Sequence, residues 1–588
     1  MKKVTQKNIW LLPVAVWIIL IPIIEKAKVY PNPLMECSWY SNEEYLSDIF
    51  LYYKAVCVVA IGILMLAFLV WQVKSMKKSG LTLIDFKIFI PAIAYLAFVL
   101  FSSLLSEYGY FCVHGMPEHL ESVWVWISYI IALIYCCYIV VAQCPEKTLN
   151  LYMYIGAALV GLVCVLQFFK IDIYQLLRGG EEYTLTFEEG MVYGSFYSPN
   201  YVGYYVLLVS PLFILFLILS KDWKARVISA VLAIAMLIAL VGARSTTSVI
   251  IYVAVCMFAA MFLLLKHLKE NRRLYIPLIA IAILVSCACV FAIPKINTYM
   301  RSCDTEKKDL ENIFTLDECV EVDYRGQKLY VDMIPADNGF AFNITDQNQV
   351  PVSLQYMESE NGYYYYQFMD ERFAELSLAP ARITKDPDLY GFALFLEDKN
   401  WCFTNQLTED GTYYYYTDTK KLTKLTEDTP SANFTPLINK SSLANGRGYI
   451  WNKTITLLKD YLFLGSGADT FALAFPNDDI VDRFNNGYGS MIITKPHSLY
   501  LQIAVQSGIL SLVCFLIFYA WYFIESLRLY FRKRLDNPVE INGFAIMLGT
   551  FGYMLSGLTN DSTVTVAPLY WAMLGIGIGI NHHVKTKS

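Results

Sequence analysis

The sequence predicts an all-α polytopic membrane protein of about twelve transmembrane helices, interrupted by one inserted, extracytoplasmic, β-rich domain. Three observations predict it. The 588 residues are 56% hydrophobic and only 16% charged, with a mean hydropathy of +0.43, where a soluble chain carries roughly a quarter charged residues. The apolar residues come in blocks of about 17–25, the length a helix needs to cross hydrocarbon. One long stretch, 297–440, breaks the pattern by being polar, rich in tyrosine and strand-like.

Taken in order, apolar runs fall near 9–24, 48–73, 87–106, 123–142, 150–170, 200–220, 227–243, 248–265 and 276–293. After the polar stretch they resume near 498–527, 540–558 and 564–581. Residues 1–8 carry Lys2, Lys3 and Lys7 and lead into the first run without a small-residue cleavage site, so this run reads as an anchored span. Positive charges then set orientation. Lys74, Lys77 and Lys78, Lys147, Lys221, Lys224 and Arg226, Lys266, Lys269, Arg272 and Arg273, and Arg528, Arg532, Lys533 and Arg534 all fall in loops on one side if every span is real. That side is expected to be cytoplasmic, with both termini. The net charge of −5 therefore says little about partners.

The expected divisions are 1–296 for the first nine spans, 297–444 for the β insertion, 445–497 for an outer helical segment and 498–588 for the last three spans. Within the insertion, ENGYYYYQFMDERFAEL from Glu360 and EDGTYYYYTDTKKLTKL from Glu409 each set a Gly turn before four tyrosines. They read as related hairpins, with a carbohydrate-binding surface as the alternative. Between 445 and 497, Tyr449–Leu458 and Asp469–Phe475 read as short helices separated by Gly465-Ser466-Gly467. The piece IDIYQLL from Ile171 is amphipathic and suits the membrane interface. Most of the 14 cysteines lie in spans, and Cys303 and Cys319 are spaced closely enough for a disulfide. No zinc-ligand spacing, nucleotide-binding loop or aspartate-rich cation site is evident, so neither metal nor cofactor is expected.

Three polar residues stand out. Arg244 ends an apolar run and is followed by Ser245, Thr246, Thr247 and Ser248; it reads as a snorkelling structural arginine or as an anion site inside the bundle. Arg447 sits between two glycines before YIWNKTITLL, and by itself is compatible with a solvated loop. His497 follows Pro496 and opens the last group of spans, as a helix-capping residue or a proton acceptor. Arginine holds phosphate by paired hydrogen bonds. An arginine and a histidine at the outer face of a bilayer suit chemistry on a lipid-linked phosphate. His114 and His119 read as incidental.

Four passages resemble the O-antigen ligase and polymerase superfamily of bacterial envelope glycosyltransferases. They are GSFYSPNYVGYYVLL with Asn200, GARSTTSVIIYVAV with Arg244, GRGYIWNKTITLLKDYLFLGSGADTF with Arg447, Trp451, Gly465, Gly467 and Phe471, and PHSLYLQIAVQSGIL with His497, Tyr500 and Gly508. Leu462 departs from a common proline, and the insertion departs from the family's usual short helical loop. The resemblance implies a GT-C-like bundle in the bacterial inner membrane with an outward-facing site. It implies inverting, metal-independent transfer of a glycan from undecaprenyl pyrophosphate. Arg244 and Arg447 would hold the pyrophosphate and His497 would accept the acceptor's proton, with Asn200, Trp451 and Tyr500 binding substrate. The acceptor would be a cell-surface polysaccharide or another envelope molecule. A polymerase, a polysaccharide ligase and a transferase to protein hydroxyls fit the motifs equally. A lipid-linked glycan flippase fits the span count, but the two halves of the chain lack the internal likeness of transporters. A receptor with a β ectodomain fits less well, because no cytoplasmic signalling domain is evident.

Overall fold

A computed structural model describes residues 9–586 apart from 41, 79–85, 175–189, 268–298, 300–301, 304–307, 337–338, 359–363, 386–387, 397–398, 410, 419, 427–436, 438–439 and 490. Every predicted apolar run within these residues is helical; the run near 276–293 lies outside them. Eight helices among the described residues are long and apolar enough to cross a membrane: Tyr52–Trp71, Phe86–Leu105, Val123–Gln143, Glu146–Phe168, Pro199–Leu219, Trp223–Gly242, Thr246–His267 and Ile509–Arg532. The first run forms a shorter apolar helix, Leu12–Ile23, tied to the last helix by Trp17 Nε1 donating to Pro568 O at 2.7 Å.

Two further helices, Pro538–Ser556 and Ala567–Thr586, are long but less apolar. Both are largely enclosed by the rest of the bundle, and the second anchors to its neighbour through a polar pair. Asn581 accepts from Tyr530 Oη at 2.6 Å and donates to Ser526 Oγ at 2.7 Å. A central helix can hold such groups because protein, not lipid, surrounds it.

The run predicted as one span from 498 to 527 is two helices, Leu499–Ser507 and Ile509–Arg532, broken at Gly508. Gly508 takes φ +89°. A thirty-residue helix would overshoot a bilayer, and the break keeps the first short helix at the end of the bundle that carries His497.

The insertion is a β sandwich. Strands β3 (Leu310–Thr315), β4 (Val320–Tyr324), β5 (Gln327–Ala336) and β6 (Gly339–Asp346) form one antiparallel sheet. Strands β7 (Leu354–Glu358), β8 (Tyr364–Phe368), β9 (Ser377–Lys385), β10 (Asp388–Leu396), β11 (Lys399–Thr404), β12 (Tyr414–Tyr416) and β13 (Leu422–Thr423) form a second sheet, a meander in chain order. The sheets share one core that includes Val331, Ile344, Phe392, Trp401 and Tyr415. The two tyrosine-rich passages supply β8 and β12, each paired to a preceding strand. Earlier, the segment between the Leu12–Ile23 and Tyr52–Trp71 helices contains a small hairpin of β1 (Lys28–Pro31) and β2 (Tyr45–Asp48).

Chain entry and exit lie side by side: Thr315 N donates to Leu425 O at 2.8 Å. That proximity is what insertion into a loop requires. The sandwich core also takes in Ile480 and Val481 from beyond 445, so the apolar boundary lies past the one expected. Cys303 and Cys319, close enough in sequence for a disulfide, are both free thiols.

Candidate functional site

The outer helical segment is built from Arg447–Leu457, Phe471–Ala474 and Ile480–Asn485, joined by loops. Gly446 caps the first helix at φ +87°, and a Cβ there would lie 2.5 Å from Tyr488 Oη. The chain therefore turns sharply just before Arg447 and delivers it at the helix start, half-buried. Arg447 lies in the field of Asp561, with Tyr204, Tyr488 and Tyr201 around it. Burial pulls its guanidinium below the ordinary value while Asp561 opposes that pull. Among the described residues it makes no ion pair within 4.0 Å.

His497 is held from three sides. Trp451 Nε1 donates to Pro496 O at 3.0 Å, which fixes the residue before it. Ser498 caps the Leu499–Ser507 helix, and its backbone N–H donates to Asp561 Oδ1 at 3.0 Å. The other carboxylate oxygen, Oδ2, lies 3.6 Å from His497 Nδ1. His497 itself takes φ +49°, an uncommon conformation for a non-glycine residue and one that clusters at functional sites. Its side chain is 30% exposed, whereas Asp561 is 1% exposed. Desolvation pulls the imidazole down to about 4, with Lys495, Arg447 and His119 adding to it and Asp561 opposing. His497 is thus neutral at pH 7, with Nδ1 turned to a buried carboxylate.

A second buried pair stands beside it. His119 Nδ1 lies 3.2 Å from Asp469 Oδ1, with side chains 1% and 0% exposed. Asp469 Oδ2 accepts from the backbone N–H of Met116 at 2.7 Å and of Glu121 at 2.9 Å. Asp469 therefore pins the 115–121 turn onto the outer segment. Glu121 Oε1 accepts from Tyr129 Oη and Ser562 Oγ, both at 2.8 Å, and burial raises its carboxyl to about 8. Glu118 accepts from Thr494 Oγ1 at 2.6 Å and lies 3.6 Å from Lys495, whose ammonium sits 4.9 Å from the Tyr197 ring centre. His119 is structural and not incidental, and His114 is exposed, with Nδ1 2.9 Å from Tyr110 O.

The glycine-rich loop completes the frame. Ser466 N donates to Val505 O at 2.8 Å, Gly467 N to Gln506 O at 3.0 Å and Ile509 N to Leu462 O at 3.0 Å. The first two satisfy carbonyls near the end of the Leu499–Ser507 helix, and the third ties the residue after Gly508 back to the loop. A Cβ on Gly465 would lie 2.0 Å from Gln506 C, so only glycine admits this approach. Ser102 and Ser103 of the Phe86–Leu105 helix accept from Gly465 N at 2.9 Å and Ala468 N at 3.0 Å.

The remaining expected residues are placed as follows. Asn200 is half-buried at the start of the Pro199–Leu219 helix, whose next turns send Tyr201 and Tyr204 toward Arg447. Tyr500 spends its hydroxyl on Met554 O at 2.6 Å. Arg244 is exposed at the turn between Trp223–Gly242 and Thr246–His267 and not enclosed by the bundle. Its motif joins the first one through Ser248, whose Oγ would meet a Cβ on Gly203 at 2.1 Å. Among the described residues no group of three His, Cys, Asp or Glu side chains is arranged to hold a metal. Asp561, Asp469, His119 and Glu121 were missed by the sequence reading: none sits at a recognisable spacing from Arg447 or His497, and only the fold joins them.

A family model described as O-antigen ligase matches residues 403–516. The match runs from the end of the β sandwich through Arg447, Trp451, Gly465, Asp469, His497 and Tyr500, and supports the superfamily resemblance of the four motifs. Asn200, Arg244 and Asp561 lie outside it. No curated protein matches the chain.

Proposed function

We propose that this chain is a glycosyltransferase of the bacterial inner membrane, with its site facing outward. It moves a glycan from undecaprenyl pyrophosphate to an acceptor hydroxyl, as a polysaccharide ligase or polymerase. One observation supports the proposal: Arg447 and His497, 50 residues apart in sequence, both lie in the field of one buried carboxylate, Asp561, and of each other. A cation and a neutral imidazole in one electrostatic neighbourhood suit transfer away from a phosphate leaving group.

The acceptor oxygen attacks the anomeric carbon, forming the new glycosidic bond. The bond from that carbon to the pyrophosphate oxygen breaks, and its electron pair leaves with the pyrophosphate. Arg447 neutralises that growing charge with charge-assisted hydrogen bonds of roughly 1.5–3 kcal/mol each. In this reading Arg244, exposed at its turn, supplies a second cation to the pyrophosphate. The acceptor's proton passes to Nε2 of His497, because Nδ1 faces Asp561. Asp561 then stabilises the imidazolium. Attack opposite the leaving group inverts the anomeric centre. Pyrophosphate leaves without protonation, so neither a general acid nor a metal is required.

The test measures lipid-linked glycans in cells lacking the protein and complemented with variants. Arg447→Ala and His497→Ala should each fail to restore transfer, by roughly 10²–10⁴-fold for the base, while the protein stays folded in the membrane. Accumulation of single repeat units on the lipid means a polymerase; accumulation of finished polymer means a ligase. Accumulation confined to the cytoplasmic leaflet, or near-normal turnover by His497→Ala, would overturn the proposal.

A further inference from the structure

The end of the bundle away from His497 carries a second polar cleft. The Ile509–Arg532 helix starts next to the site and runs 24 residues, about 36 Å at 1.5 Å per residue. The Ala567–Thr586 helix starts close after Asp561 and runs the same way. Where they end, Trp521, Ile524, Glu525, Arg528, Arg532 and Lys585 line a cleft of about 620 Å³. Residues 521, 525, 528 and 532 recur every three or four positions and so share one helix face. Lys585 pairs with Glu525, which draws the two helices' charges together. Arg528 and Arg532 are exposed, and among the described residues neither is hydrogen-bonded or ion-paired.

Three cations against one carboxylate leave a net charge of +2 in a cleft with an indole wall. A general excess of basic residues on one membrane side does not require convergence of two helices on one spot. Paired guanidiniums match phosphate oxygens by forked donation, tryptophan settles at headgroup depth, and the exposed Ile524 offers an apolar surface to an acyl chain. We infer that this cleft binds the headgroup phosphate of an anionic phospholipid in the leaflet opposite the catalytic site. The inference does not depend on the reaction proposed above.

The experiment uses the full chain, delipidated in detergent, with equal amounts of dioleoyl phosphatidylglycerol and dioleoyl phosphatidylcholine, read by native mass spectrometry. The wild type should retain phosphatidylglycerol roughly tenfold or more in preference. The combined Arg528→Gln, Arg532→Gln and Lys585→Gln variant should retain the two lipids within about twofold of each other. Arg528→Lys with Arg532→Lys keeps the charge and should keep a preference. Arg528→Gln alone, at an exposed position, should weaken retention about fivefold and carries the test should the triple variant not fold. Equal retention of both lipids by the wild type would overturn the inference. So would displacement of phosphatidylglycerol by an equal concentration of inorganic phosphate, which would assign the cleft to a free anion.

Discussion

At the scale of single residues, the site works through where protons sit. His497 is held down to about 4 by burial first and by neighbouring cations second. A base must be neutral to act, so activity is lost as pH falls through the folded value. The acid limb of kcat/KM, which reports the free enzyme, should lie near pH 4, and the profile should stay flat from about 5 to 7. A limb at the ordinary histidine value of about 6.5 would mean that His497 is not the base. Asp561 opposes the depression, so Asp561→Asn should move the limb to still lower pH and slow the reaction. Glu121 runs the other way. Its carboxyl is raised to about 8, so it is protonated when folded at neutral pH and ionised when unfolded. The stability it contributes is complete below its unfolded value of about 4.3 and is lost as pH rises through about 8. Glu121→Gln keeps the acceptor for Tyr129 and Ser562 and removes the titration. Melting temperature should therefore fall with pH over that window in the wild type and stay nearly level in Glu121→Gln. Arg447 and His497 were singled out through the motifs that resemble the family, since Arg447 by itself reads as a solvated loop residue. Their carboxylates were not, because an acid near a helix start, such as Asp561, is an ordinary residue until folding places it 3.6 Å from an imidazole.

At the scale of elements, the short helix Leu499–Ser507 is the frame of the site, and its two ends are fixed by different means. Ser498 caps its start, and the Leu462–Ala468 loop takes up the carbonyls at its end. The periodicity of the apolar residues made 498–527 look like one helix; the sequence carried the break only as a glycine in a hydrophobic run. The same limit applies to the GSG turn, which was legible as a helix breaker but not as a cap for a helix about forty residues further on. Gly465→Ala tests that role. The added carbon would meet Gln506 and Ser507 main-chain atoms at 2.0 and 2.2 Å, and backbone cannot swing aside as a side chain does. The loop must lift, weakening the bonds to Val505 and Gln506. A cost of about 3 kcal/mol, the upper part of the overpacking range, should show as a lowered melting temperature in detergent. Activity should fall with it, because His497 sits at the other end of the same helix. An unchanged melting temperature would mean that the loop does not brace the helix.

At the scale of the whole molecule, the division into a bundle and a β insertion was legible from composition, since a polar, tyrosine-rich stretch cannot be a span. Its far boundary was not legible, because the sandwich closes its core with residues that belong in sequence to the outer segment. Ile480 and Val481 are 5% and 4% exposed within the sandwich core. Phe484 packs on Trp401 with ring centres 5.4 Å apart, and Asn485 Nδ2 donates to Leu310 O at 2.7 Å. Burial of such side chains stabilises by about 1.5–3 kcal/mol each. Deleting 310–423 should therefore leave the bundle inserted, because the bundle has its own separate core, yet it should strip the Ile480–Asn485 helix of its cover. That helix braces the site from behind: Lys453 of the Arg447 helix lies 2.6 Å from Asp482 and 3.4 Å from Asp479. Limited proteolysis of the deletion variant should give new cleavage between 478 and 490, with the transmembrane helices still protected. Replacing Ile480 and Val481 with glutamine in the deletion background should not restore the protection, since the missing packing remains missing. Full protection of this helix without the insertion would show that the two units are independent, and that the sandwich contributes only through what it binds.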